Sequence, residues 1–514
     1  MQNNVGLCLT KRAFLNPDRE AYVDGNGDLR LTFAQLNARS NQLANALLAD
    51  GIEKGDRVAL LLMNSAEFVE AFFAIAKVGA VAVPLNWRLV PDELEFIIKN
   101  AGAKRIIFDE EFLGSVSELQ SRGDKTDISH WLQVEGEASI APFAQSYQRL
   151  RDTASQAEPE PRGSEDDMLY IMYTSGTTGL PKGVVHTHNT VLWGLFTMTG
   201  NISFEEGDRF LGALPLFHVG ALAPLTLSIY QGVTSVVMRS FDPVRAWQLI
   251  QDEKITTGLA VPAMLNFMLQ VPNLKDFDYS SLRWMLTGAA PVPVSLLEAY
   301  QAIDIGILQV YGLTETGGPA CLMDAENGVR KAGSTGKAYF HTDIRIVDEE
   351  GNDCPPDVAG EILVRGKHNM KEYWDNPEAT AKTLVNGWLH TGDIATMDEE
   401  GFVTIADRIK DMIISGGENV YPAEVENALM AHPDIAEAAV IGQQSEKWGE
   451  SPLAIVVAKN ESLSEAEVLD HCKSKLAGFK RPKAVVFVEN IPRNPSGKIL
   501  KRVLREQHPT QASE

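Results

Sequence analysis

Residues 173–184, YTSGTTGLPKGV, concentrate the side chains and backbone that can hold an anion. Gly176, Gly179 and Gly183 free the chain to turn tightly, while Thr174, Ser175, Thr177 and Thr178 set hydroxyls beside many backbone N–H groups. Lys182 adds a cation. Placed directly after the strand-like 168–172, such a loop can wrap phosphate oxygens. It is not a Walker A loop, because G-x-x-x-x-G-K-S/T requires glycine where Pro181 stands and Ser or Thr where Gly183 stands.

The elements that must carry this loop follow from hydrophobic patterning. Residues 58–62 read as a strand before a helix-like 66–77, and a helix-like 92–99 precedes a strand-like 105–108. This alternation predicts βαβ units and mostly parallel sheets. A polar, proline-bearing stretch, 154–167, is expected to be an exposed linker marking a lobe boundary. Beyond about residue 411 the pattern changes to strands at 435–441, 453–457 and 484–488 and a helix at 465–476, a small α+β unit. The expected fold is therefore α/β: a large N-terminal domain, 1–407, with βαβ-type sheets and a small β-rich subdomain, a hinge at 408–411, and a small C-terminal α+β domain, 412–514.

Composition narrows the function. A chain of 514 residues exceeds one hydrophobic core, so more than one domain is required. The formal net charge of −23 opposes general nucleic-acid binding, which needs a basic surface, and suits a cytosolic enzyme. Cys8, Cys321, Cys354 and Cys472 are scattered without a CxxC pair, which argues against a disulfide framework or zinc site. No secretory leader is read at the start. Residues 210–238 carry no formal charge, yet Pro215, His218, Gly220, Pro224 and Gly232 interrupt them, so a buried core with Pro-Leu-Phe-His as a strand ending in a loop is expected rather than a membrane span.

The phosphate-type loop is followed, in order, by 215–218 (PLFH), 288–291 (GAAP), 311–316 (YGLTET), 387–393 (GWLHTGD), 401–426 and 492–498 (PRNPSGK). Together these blocks resemble the ANL superfamily of adenylating enzymes, which comprises acyl-CoA synthetases, peptide-synthetase adenylation domains and luciferases. The resemblance spans nearly the whole chain. It implies that a carboxylic acid reacts with ATP to form an acyl-adenylate, and that coenzyme A then takes the acyl group. Two anions repel, so the first step needs cations and a metal at the α-phosphate.

The resemblance assigns the residues. Glu315 is the Mg²⁺ carboxylate and Thr174 contributes to the metal and phosphate environment, with Ser175, Gly176, Thr177, Thr178, Gly179 and Lys182 around the phosphates. Thr314 holds the α-phosphate. Tyr311, beside Gly312, offers an aromatic face to adenine, and Gly288, Ala289 and Ala290 let the base lie against backbone. Asp393 accepts the ribose hydroxyls, with Arg408 at the same end. Lys498 is the mobile cation of adenylation, Lys410 the hinge, and Gly416, Gly417 and Glu418 belong to the thioester step. His218 gates the acyl pocket or lies near the carboxylate, with a packed core histidine as the alternative; Gly220, Gly317 and Gly318 leave room for the acid.

Residues 219–223 contain no carboxylate to pair a substrate amine, which disfavours amino acids, and no Arg or Lys in the pocket segments could hold a second carboxylate. The resemblance favours bacterial fatty-acyl-CoA synthetases, with aryl or cinnamic acids second. A luciferase-like oxygenase and a non-catalytic acyl-binding protein are the rival classes. Between Lys473 and Arg505 there are ten Lys or Arg and one carboxylate, Glu489. That stretch could anchor the 3′-phosphate of coenzyme A, meet an anionic membrane peripherally, or be an ordinary solvated face. Related enzymes are often homodimers, although no interface is legible.

Overall fold

The computed structural model describes residues 3–136, 139–174, 181–289, 292–324, 327–408, 411–415, 418–445, 448–460, 462–473, 475–476, 478, 480–493 and 499–509. Among them an eight-stranded sheet runs Gln145–Ser146, His130–Val134, Ala103–Asp109, Arg57–Leu61, Val81–Pro84, β1 (Met168–Thr174), β2 (Lys182–Thr187) and Glu372–Tyr373. Its strands are parallel up to β1, and β2 turns back antiparallel through the phosphate-type loop. A nine-stranded sheet runs Arg30–Thr32, Glu20–Asp24, Thr234–Val237, Arg209–Gly212, Thr257–Leu259, β3 (Trp284–Thr287), β4 (Gly306–Tyr311), Cys321–Leu322 and Lys337–Ala338. Strands such as RVALL and WMLT are apolar on both faces because helices cover both.

A third sheet is antiparallel: Asp343–Val347, Gly360–Arg365, β5 (Trp388–Met397) and Leu384–Val385, with β6 (Val403–Arg408) also paired to β5. The C-terminal sheet holds Glu418–Val420, Ile413–Ser415, Gly449–Ala458 and Ile435–Ser445, with Ala484–Phe487 parallel to Gly449–Ala458. The α/β class, the large N-terminal part with its small β-rich sheet and the α+β C-terminal part are as the sequence predicts.

The helix expected at 66–77 forms as Ala66–Lys77, started by the Ser65 hydroxyl, which accepts from the Phe68 N–H. It buries Phe68, Phe72 and Phe73 completely, each contributing about 2 kcal/mol. Residues 210–238 form the expected buried segment, but 215–218 lie in the loop after the strand rather than in its end, and a helix follows. They fold as Arg209–Gly212, a helix and Thr234–Val237, and Gly220 and Pro224 both lie inside the helix. We label the two helices near the site α1 (His188–Thr199) and α2 (Val219–Gln231). Pro224 in α2 has no N–H to give the Gly220 carbonyl, and the Thr226 and Ser228 hydroxyls donate to the Leu222 and Pro224 carbonyls one turn back. No helix among the described residues is long and apolar enough to cross a membrane.

The stretch 154–167 joins the helix Tyr147–Asp152 to β1, and strands from before and after it lie in the same sheet. It has no regular structure, yet it is held. Lys77 Nζ, 1% exposed, donates to Glu158 Oε1 at 2.7 Å and to the side-chain carbonyls of Asn37 and Asn41. Burial pushes the Lys77 ammonium down to about 8, and Glu158 holds it charged. Asn45 donates to the Ser155 and Ala157 carbonyls, closing the strap over helix Phe33–Ala49.

Glu158→Ala is expected to lower stability by about 2–3 kcal/mol, because it strands a buried ammonium while Glu158 itself is partly solvated. Lys77→Met with Glu158→Leu should recover most of that loss. Chemical denaturation of the two variants reads both outcomes, and a double variant no better than Glu158→Ala would show that the strap is held by its backbone contacts alone.

Candidate active site

The turn between β4 and Cys321–Leu322 is the most densely bonded segment of the site. Gly312 has no space for a side chain: a Cβ there would sit 1.3 Å from the Gly318 carbonyl oxygen. The Leu313 N–H donates to Thr316 Oγ1, and the Gly317 and Gly318 N–H groups donate back to Thr314 and Leu313. Gly317 takes φ +65°, where its hydrogen lies against the His368 carbonyl and the His186 ring. Its glycine is thus explained by the turn. Gly318, at φ +109°, faces Val219 and Ala223 of α2.

Three successive carbonyls of this turn each receive an outside donor. His186 Nε2 reaches the Thr314 oxygen at 2.8 Å, the Met370 N–H reaches Glu315 at 2.7 Å, and His368 Nδ1 reaches Thr316 at 2.8 Å. A carbonyl only accepts, so His186 carries its proton on Nε2 and His368 on Nδ1. The remaining ring nitrogens face Thr190 Oγ1 and Thr342 Oγ1 at 3.0 and 2.8 Å. Burial pushes the His186 imidazole down to about 4 and lowers that of His368, so both are neutral.

Glu315 projects from this turn. Its Oε1 accepts from the Tyr373 hydroxyl at 2.8 Å, and the face of that ring carries Lys182 Nζ 4.2 Å from its centre. Lys182 pairs with Thr174 across the β1–β2 hairpin, where Thr174 Oγ1 makes a long 3.5 Å contact to its carbonyl. Thr174, Lys182, Tyr373 and Glu315 therefore form one connected group of hard oxygens and a cation. Residues 175–180 lie outside the described residues.

A second group centres on Asp393 of β5, which is buried and accepts from the Tyr311 hydroxyl at 2.7 Å. The Asp393 N–H donates to Thr391 Oγ1. Arg408 is opposite Asp393 in the β5–β6 register. At the end of β3, a Cβ on Gly288 would meet the Val310 carbonyl at 2.5 Å, and Ala289 has φ +66°. Strand packing thus demands the glycine directly. Ala290 lies outside the described residues.

His218 stands at the N-cap position of α2 without a side-chain capping bond, its ring 4.4 Å from that of Phe217 and tilted by 50°. Its Nε2 is sealed from solvent and has no partner among the described residues. Burial, with Arg88 adding to it, pushes the ring down to about 4. Between α2 and the nine-stranded sheet lies a small cavity of about 10 Å³, with Leu216, Gly220, Ala221, Leu225, Ser235 and Val237 among its lining residues. Lys410, Gly416, Gly417 and Lys498 lie outside the described residues, as does the Glu418 side chain. In the basic stretch, Lys473, Lys480, Arg493, Lys501, Arg502 and Arg505 are each paired with a carboxylate.

Three residues of this site were not singled out from the sequence: His186, His368 and Tyr373. The only signal for His186 was its place two residues after the phosphate-type block, in VVHTH; the other two stand in no block.

The model of the AMP-binding enzyme family matches residues 9–374, and that of the AMP-binding enzyme C-terminal domain matches 424–498. The chain belongs to this family. It is an acyl-CoA ligase of the ANL superfamily. It is 45% identical over 506 residues to the long-chain-fatty-acid–CoA ligase FadD13 of Mycobacterium tuberculosis, covering 98% of each chain. A feruloyl-CoA synthase of Amycolatopsis is 38% identical over 98% of this chain and 99% of its own. The o-succinylbenzoate CoA synthetase of Bacillus subtilis, solved with its acyl-adenylate, superposes with a TM-score of 0.85 at 35% identity, covering 98% of both chains.

The buried histidines of this ligase make it acid-sensitive. His186, His188 and His218 have folded-state values near 4 against an ordinary 6.5. Between those values the unfolded chain binds more protons, so their contribution to stability is complete above pH 6.5 and is lost as pH falls towards 4. The denaturant midpoint should drop across that window. His188→Gln, which removes one such group, should flatten the slope; an unchanged slope would mean that His188 is protonated in the folded state.

Proposed function

We propose that this ligase activates fatty acids, through a carboxylate attack on the α-phosphorus of ATP that expels pyrophosphate, followed by attack of the coenzyme A thiol on the acyl carbonyl that expels AMP. The observation that supports the substrate reading is the wall along α2 and the nine-stranded sheet: of the twelve residues around its small cavity of about 10 Å³ only Ser235 has a polar side chain and none is charged, so a chain would enter by parting apolar groups. An apolar chain buried there gains from desolvation, whereas a second carboxylate would be unpaired. The long-chain name of the Mycobacterium relative supports the same class. Aryl acids are the second reading, supported by the feruloyl relative.

In this reading the two connected groups divide the nucleotide. Asp393, oriented by the Tyr311 hydroxyl, accepts from the ribose hydroxyls, and Tyr311 lies beside the base. Lys182 and the hydroxyls of Thr174 and Thr314 face the phosphates, with 175–179 completing the wrap. Glu315 and Thr174 are hard oxygen donors of the kind Mg²⁺ takes alongside phosphate oxygens, and the Tyr373 hydroxyl engages Glu315 at Oε1. The bound ion would neutralise phosphate charge as it develops. His218 stays neutral and can donate from Nε2 to the substrate carboxylate without adding a buried cation. Arg408 belongs to the nucleotide end, Lys498 supplies positive charge for adenylation, Lys410 acts as the hinge between 1–407 and 412–514, and 416–418 serve the thioester step.

AMP release with ATP, Mg²⁺ and coenzyme A, measured from acetate to long-chain acids with benzoate and cinnamate alongside, tests the substrate. A maximum in the fatty series is expected; a maximum on the aromatic acids would replace the substrate and keep the chemistry. Oxygen uptake or light with the adenylate would move the chain to the luciferase class.

The half-reactions can be separated. Lys498→Ala should slow adenylate formation by about 10²-fold or more while leaving thioester formation from supplied acyl-adenylate nearly intact. Gly417→Leu should do the reverse. Equal loss of both half-reactions in both variants would rule out two conformations that share one site.

A further inference from the structure

Glu315 and Thr314 sit on a turn, not on a helix or strand, and a turn holds side chains at fixed angles only if its peptide planes cannot rotate. Rotation about the backbone of 314–316 would swing the Glu315 carboxylate and the Thr314 hydroxyl away from the phosphates. In this chain the rotation is opposed from outside the turn. The Thr314 oxygen is held by His186 at 2.8 Å and also receives the Gly317 N–H at 3.0 Å, so both its lone pairs are used. The Thr316 oxygen is held by His368 at 2.8 Å. The two rings come from different elements: His186 lies on β2, and His368 lies on the connection between Gly360–Arg365 and Glu372–Tyr373. Both rings are completely buried, and each is fixed by a threonine hydroxyl on its far nitrogen.

We propose that His186 and His368 are positioning residues of the ligase, a pair of neutral donors that clamp the Thr314 and Thr316 carbonyls and thereby aim Glu315 and Thr314 at the nucleotide phosphates. The inference rests on the reading of Glu315 and Thr314 given above. Neither histidine needs to touch substrate. Gly317 completes the device, since a Cβ there would press on the His368 carbonyl at 2.9 Å and on the His186 ring at 3.2 Å. The Met370 N–H, from the same connection as His368, fills the place between them on the Glu315 carbonyl.

The clamp predicts a signature that loss of packing does not produce. His186→Leu keeps the volume and removes the donor; it should raise KM for ATP and the Mg²⁺ concentration for half-maximal adenylation by about tenfold. KM for the acid, and thioester formation from supplied acyl-adenylate, should stay within twofold. His186→Gln, which retains an N–H, should recover most of the change. Thr342→Val leaves both rings in place and frees only the far nitrogen of His368, so it should fold normally and shift the Mg²⁺ curve two- to fivefold in the same direction. Glu315→Gln separates the two layers of the reading. If it leaves the Mg²⁺ curve unmoved, the assignment of the turn fails and the clamp falls with it. If it shifts the curve while folded His186→Leu and Thr342→Val do not, the clamp alone is overturned. Loss of both half-reactions in His186→Leu without recovery in His186→Gln, with Thr342→Val unchanged, would equally overturn it, leaving His186 as packing.

Discussion

The structure around the site depends on one constraint: where three sheets converge, backbone carbonyls lie against buried side chains and must find donors within the protein. An unpaired carbonyl there would cost about 1–3 kcal/mol. The turn after β4 meets this with donors from β2 and from the connection that leaves Gly360–Arg365. Its two histidines can serve only as neutral rings, since burial opposes their protonation. Gly312 and Gly317 follow from the same crowding, the first against the Gly318 carbonyl and the second against the His368 carbonyl and the His186 ring, whereas Gly318 is set by its φ of +109°. The eight-stranded sheet, the nine-stranded sheet and the smaller antiparallel sheet are thereby tied at one point, and Glu315, Tyr373 and Lys182 project from it.

Charge sets the second demand. A chain of net charge −23 repels both a carboxylate and a polyphosphate at long range, so any attraction must be built locally. Lys182 shows how. Its ammonium rests on the face of Tyr373 rather than on a carboxylate, and the Tyr373 hydroxyl is given to Glu315. The tyrosine thus stands between a cation and an anion that would otherwise neutralise one another. Six basic residues of the C-terminal stretch are, by contrast, each paired with Asp or Glu.

Much of this was legible in the residues. Ala66–Lys77 appears where its apolar spacing and Ser65 cap place it, and 453–457 lies within Gly449–Ala458. Thr174 and Glu315, from separate blocks, are linked through Lys182 and Tyr373, and Tyr311 meets Asp393. The α2 helix was obscured by Gly220 and Pro224, whose local cost is outweighed by burial of Leu222, Leu225 and Leu227. His186 and His368 could not be assigned, because their partners are 128 and 52 residues away and a lone histidine has no period or spacing to reveal it. Gly288 shows the opposite case: its block was recognisable, but the reason for glycine, the Val310 carbonyl, emerges only when β3 and β4 lie side by side.

The same contrast explains why chemistry was easier to read than substrate. Moving a phosphoryl group needs charges and donors at fixed places, and few residue types supply them, so the blocks are distinctive. An acyl pocket needs only apolar volume, which Leu, Val, Phe, Ala and Gly supply in many combinations of similar stability. Relatives named for fatty, feruloyl and succinylbenzoate substrates therefore share the adenylating framework at 36–45% identity. In this chain the wall between α2 and the nine-stranded sheet is one such apolar region. Gly212 and Gly220 bear on this most directly in the present chain. A Cβ on either would make only ordinary contacts, at 3.5 Å to Val237 and 3.8 Å to Leu214, so neither glycine is demanded by backbone packing as Gly288 and Gly312 are. Either position could carry a methyl group without moving backbone, unlike the two glycines that a neighbouring carbonyl fixes.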